Sequence, residues 1–207
     1  MIRDFRKGTW AGFLGPLIGL SFVLLAIVFA PDFSWESDAL SHLGHWFRTD
    51  IGPNPFVRAL IFNSGLVVGG ILIIYFTIDL IRQMKDVIIK LALLSIIVNA
   101  LFLAAVGVFS ENISGGHIIA ALGFFLSIPV SLILVGIGFL QNRNSRKVGI
   151  VLVGLGILSI ILFRPWASIA VWEYSMALVS TIAVVFIDGM DILGHLEPVK
   201  RQFERSI

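Results

Sequence analysis

The chain is expected to be an all-α, polytopic integral membrane bundle of six transmembrane helices with one short interfacial amphipathic helix. Three observations predict it. Of 207 residues, 57% are hydrophobic and only 14% charged, against about 25% charged in a soluble domain. The mean hydropathy is +0.98. Apolar runs of spanning length recur along the whole chain, and at roughly 20 residues each they leave no room for a soluble catalytic or nucleic-acid-binding domain. The absence of cysteine excludes disulfides and thiolate chemistry.

The first run covers Ala11 to Ala30. Its basic flank and the small residues before Pro31 imitate a secretory signal, but its length and the proline directly after Ala30 favour a retained helix. The second, Arg58 to Ile81, carries Gly65 and Gly69 four apart, a spacing that permits close helix packing. Ile88 to Phe109 and His117 to Leu140 follow, and Pro129 in the latter is placed to kink the helix and open a cavity. Val148 to Phe163 is the shortest run, and Ser168 to Leu193 is the last. Residues 194–207 form a polar tail, and 1–207 is read as a single domain.

Lys and Arg orient the bundle. Twelve of the fifteen fall before the first run, around the turn between the second and third, between the fourth and fifth, or in the tail, and only Arg48, Arg58 and Arg164 lie on the other side. By the positive-inside rule both termini are expected in the cytoplasm, in the cell membrane, with carboxylates collecting outside.

The 27-residue connection from Pro31 to Val57 carries its own pattern. Leu40, Leu43, Trp46 and Phe47 recur at helical spacing, while Asp38, His42 and His45 fall on another face. With Ser34 as N-cap and Trp35 and Trp46 suited to the headgroup layer, an interfacial helix over about Ser34 to Phe47 is expected. A carboxylate and imidazoles on one face could bind a divalent, zinc-like ion through Asp38, His42 and His45, with Glu111 or His117 as a fourth donor. The alternative is a solvated polar face.

Further polar groups lie inside or beside the runs. Asn63 and Asn99 sit within the second and third, where interhelical hydrogen bonding is the ordinary use. Glu173 enters the last run, and a carboxylate there must face protein or water. Arg164 is its expected partner. Asp79, Asp188 and Asp191 lie near the basic ends, where charge pairing accounts for them.

Ser41-His42-Leu43-Gly44, Phe62-Asn63-Ser64-Gly65-Leu66 with Gly69-Gly70-Ile71-Leu72, Val106-Gly107-Val108-Phe109 with Glu111, His117 opening a helix, and Glu173 in the last run occur in this order. In these elements the chain resembles the largely archaeal membrane family called domain of unknown function 998. The resemblance implies a compact multi-span protein with its polar motifs on one side, and it carries no activity. It also implies an acidic residue where His42 stands. More distantly, Ser41 and His45 match the Ser-x3-His spacing of membrane hydrolases such as alkaline ceramidases, although the second His-x3-His element and one span are missing.

The leading expectation is an outward-facing polar pocket formed by Asp38, Ser41, His42, His45, Asn63, Glu111, His117, Arg164 and Glu173. It would bind or transport a small polar or cationic ligand, or engage a lipid headgroup. One alternative is a metal-dependent hydrolase of lipid amides or esters, with Asp38, His42, His45 and His117 around the metal. Another is a structural or assembly subunit, whose pocket is an internal polar network; a homo-oligomer is compatible with any of the three. Nucleic acid is not an expected partner; the lipid bilayer is.

Overall fold

The structure, a computed structural model, describes residues 7–164, 168–192 and Leu196. Six α-helices lie within them: α1 Lys7–Val28, α2 Pro55–Gln83, α3 Val87–Val108, α4 Ser114–Leu140, α5 Arg146–Leu162 and α6 Ile169–Ile192. There is no strand among the described residues. The expected cytoplasmic tail, 194–207, lies outside them apart from Leu196, as do Arg3 and Arg6 of the basic flank.

Five helices, α1 to α4 and α6, are long and apolar enough to cross a membrane. The protein is therefore a multi-pass membrane protein. Their outer faces carry exposed residues such as Leu24, Ile71, Leu101, Ile119 and Val130, and a helix apolar all round is soluble only in lipid. A helix suits that solvent because it satisfies its backbone internally. The remaining helix, α5, has 17 residues, about 25 Å at 1.5 Å per residue against a hydrocarbon core of about 30 Å.

Local sequence sets several ends. Asp86 caps α3, accepting from the N–H groups of Ile88 at 2.7 Å and Ile89 at 3.3 Å. Pro55 opens α2, three residues before the expected start, because proline is preorganised for a first turn and has no N–H to leave unpaired.

Glycines set the closest crossings. A Cβ on Gly69 would lie 2.9 Å from the Gly15 carbonyl oxygen, and one on Gly65 would overlap Phe22. Thus α1 and α2 meet backbone to backbone at the spacing noted in the sequence. Gly136 of α4 and Gly149 of α5 repeat the arrangement, each Cβ meeting the other's carbonyl at 2.9 and 2.6 Å. Packed chiefly on α4, α5 stays at the edge of the bundle.

The connection between α1 and α2 folds into the bundle end. Its two ends close on each other, with the Asp32 N–H donating to the Ile51 carbonyl at 3.3 Å. Gly52, at φ +140°, packs on Pro31 where a side chain would collide. The expected interfacial α-helix over Ser34 to Phe47 is replaced by turns and a 3₁₀ helix, Leu40–Gly44. The start signal at Ser34 is present, since its hydroxyl accepts from the Glu36 and Ser37 N–H groups at 3.3 and 3.4 Å. It does not propagate, for a physical reason. Asp38 bonds back to the Ser34 N–H at 2.9 Å, a local competitor of helix, and the Leu40 N–H that would continue the helix is taken by Glu173. Leu43 is fully buried against the bundle.

Candidate intramembrane binding site

A cavity lies between α1, α2, α3, α4, α6 and the 3₁₀ helix, and α5 takes no part in it. Most of its wall is hydrocarbon, with Leu20, Val23, Leu66, Leu103 and Phe124 prominent. Pro16 of α1 lines it; Pro129, expected to open a cavity, does not.

Its polar groups fall in two tiers. Near the end of the bundle that carries the 3₁₀ helix lie Ser41, His117 and Glu173, and deeper lie Asn99, Ser180 and Thr181. From Glu173 to Ser180 is seven residues along α6, or about 10 Å.

Glu173 is 9% exposed. One of its oxygens, Oε2, accepts the Leu40 N–H at 2.7 Å, and no cation pairs with it among the described residues. The expected Arg164 partnership does not form, because Arg164 ends up exposed beyond α5 while the 3₁₀ helix brings a backbone donor to the carboxylate. His117 is buried and its Nδ1 donates to the Phe109 carbonyl at 2.8 Å. That bond fixes the tautomer and leaves Nε2 as the acceptor of the neutral ring. Asn99 spends both amide hydrogens on α4, reaching the Phe124 carbonyl at 3.0 Å and Ser127 Oγ at 2.8 Å. It thus serves as an interhelical tie and also lines the cavity.

The remaining expected site residues build the cover over this end. Asn63 does not line the cavity; its amide donates to the Gly44 carbonyl at 2.9 Å and tethers the 3₁₀ helix to α2. Asp38 Oδ1 lies 2.9 Å from His42 Nδ1, and His42 Nε2 lies 3.5 Å from Glu111 Oε1. The same oxygen is 3.6 Å from Arg48 Nη1. Arg48 in turn binds Asp50 at 2.8 Å and holds that carboxyl below the usual carboxylate range through its hydrogen bond. So the loop and the α3–α4 turn converge through a chain of polar and charged side chains. Trp46 reinforces it, donating to Ser110 Oγ at 3.0 Å.

His45 stands apart, its Nδ1 accepting from the Phe47 N–H at 3.2 Å. No group of three or more His, Asp or Glu side chains able to hold a metal ion exists among the described residues. The expected set of Asp38, His42, His45 and His117 is therefore divided, with His117 under the cover, His42 within it and His45 turned to its own backbone. Ser41 and His45, spaced as in the membrane hydrolases, are likewise separated in role.

Two features escaped the sequence reading. Arg58 is fully buried and donates to the carbonyls of Arg48 and Gly52, clamping the returning loop, yet as a charge near a helix start it reads as interfacial. Ser180 and Thr181 look unremarkable among apolar neighbours. A signal was available, because Glu173, Ala177, Ser180 and Thr181 stand at i, i+4, i+7 and i+8, one polar and small face of an apolar helix.

No curated protein and no solved structure matches the chain. The sequence profile of the family described as "Protein of unknown function (DUF998)" matches residues 13–189, a stretch that runs from α1 to α6 and takes in the cavity and its cover. The chain belongs to the DUF998 family.

Proposed function

We propose that the protein binds an amphipathic small molecule or lipid headgroup in the cavity, and passes or presents it at the outer face of the cell membrane. In this reading α5 is a sixth span, both termini are cytoplasmic, and the 3₁₀ cover and the α3–α4 turn face outward, as the Lys and Arg distribution favours. One observation carries it: a largely apolar cavity inside a membrane bundle holds a buried carboxylate and an imidazole at one end. Such walls suit hydrocarbon, and a few convergent polar groups suit recognition of a head. Structural packing alone does not require a buried carboxylate, which is costly in hydrocarbon unless something meets it. For the hydrolase reading, no donor set for a metal is found among the described residues.

The test is a cavity-obstructing variant. Ala177 lines the cavity, and Ala177→Phe would set an aromatic ring into it and obstruct it. Full-length protein purified in mild detergent is expected to carry a co-purifying small molecule, detectable by mass spectrometry, that Ala177→Phe loses while remaining folded. Identical extracts from both proteins would overturn the reading.

A further inference from the structure

We infer that the cavity's ligand is a linear primary amine, with its ammonium group against Glu173, its hydrocarbon along the apolar wall and a second hydrogen-bonding group at Ser180 and Thr181. This rests on the cavity being a binding site.

The sign of charge follows from the lining. Glu173 is the only charged side chain among the lining residues; no Lys or Arg is present. Its Oε2 is met by the Leu40 N–H, while Oε1 has no partner among the described residues. A buried carboxylate without a counter-charge demands a proton or a cation. The neighbouring groups are also acceptors. His117 offers Nε2 once Nδ1 is spent on Phe109, and Asn99 has committed both amide hydrogens and keeps only its oxygen. An ammonium supplies several donors to such a set, whereas a phosphate or carboxylate head would meet repulsion with no cation to offset it.

The far end follows from hydroxyl geometry. Seven hydroxyls on the helices, those of Ser64, Thr77, Ser95, Ser127, Ser131, Ser159 and Ser175, donate back to a carbonyl three or four residues earlier. That is the usual refuge of a hydroxyl in lipid. Ser180 and Thr181 line the cavity and make no such bond among the described residues. They are left for a ligand, about 10 Å below Glu173 by helix rise. An extended chain advances about 1.2 Å per bond, so an octyl chain bridges the two tiers.

The experiment is a calorimetric titration of the full chain in detergent micelles, with empty micelles subtracted, using octylamine, octanol, octanoate and the aminooctanol with its two groups at opposite ends. Octylamine is expected to bind at least about tenfold more tightly than octanol or octanoate, as a charge-assisted bond requires. Glu173→Gln should remove that preference, bringing octylamine down to the level of octanol measured on the same variant. Aminooctanol should exceed octylamine by a few-fold, an increment lost in Ser180→Ala with Thr181→Val, which leaves Glu173 intact. Equal binding of octylamine and octanol, or an amine preference that survives Glu173→Gln, overturns the inference. If all four bind alike and Ala177→Phe abolishes them, the amine inference falls and the binding cavity stands. If none binds, both fall.

Discussion

The contact between Glu173 and Leu40 joins the cavity to its cover, and it can be broken with one substitution. Glu173→Leu removes the acceptor that meets the Leu40 N–H, a bond of 2.7 Å at a residue itself 7% exposed. A hydrogen bond to a charged group contributes about 1.5–3 kcal/mol net, and a buried donor left unpaired costs about 1–3 kcal/mol. The local opening free energy at Leu40 should therefore fall by about 2–3 kcal/mol. At 1.4 kcal/mol per factor of ten, amide exchange at Leu40 should speed up by roughly 30- to 150-fold. Glu173→Gln keeps a neutral oxygen in place and should accelerate it by less than about tenfold. Hydrogen–deuterium exchange on peptides covering residues 38–45 reads this directly, with peptides from the middle of α3 as the internal reference. Unchanged exchange at Leu40 in a folded Glu173→Leu protein would refute the latch. Uniform acceleration across α3 would show that the substitution had loosened the bundle rather than the cover.

Two further outcomes test the frame around the site. Gly69→Ala sets a methyl against the α1 backbone, 2.9 Å from the Gly15 oxygen. The overpacking cost of about 1–3 kcal/mol should outweigh a helix-propensity gain of up to about 1 kcal/mol and lower the midpoint of thermal unfolding in detergent. Gly154→Ala meets nothing within 4 Å and should leave the midpoint unchanged or raised; equal behaviour of the two variants would contradict the crossing. A reporter fused to the C-terminus should be active only in the cytoplasm if α5 spans. Activity on the outer side would mean an odd number of crossings and would remove the six-span reading.

What the sequence by itself determined is the solvent. Long apolar runs with few charges are a local, additive property, and in lipid a run of that length satisfies its backbone within itself as a helix. Hence the helices lie within a few residues of the runs read from composition, and the Gly65 and Gly69 spacing marked a real crossing. That Glu173 must face protein or water was also legible, since a carboxylate is costly in hydrocarbon unless something meets it. Its partner was not legible. Arg164 matched it by charge, but the donor that reaches it is the N–H of Leu40, a group every non-proline residue carries and no sequence pattern marks. The same contact decided against the amphipathic helix, whose periodicity in Leu40, Leu43 and Trp46 was present but was overridden when tertiary bonds from Glu173 and Asn63 captured the segment. The histidines show the limit most plainly. Spacing on an imagined helix placed Asp38, His42 and His45 on one face, and once the chain turned instead, His42 met Glu111 while His45 met its own backbone. Only packing could decide which polar groups face the cavity, because six elements must come together before there is a cavity to face.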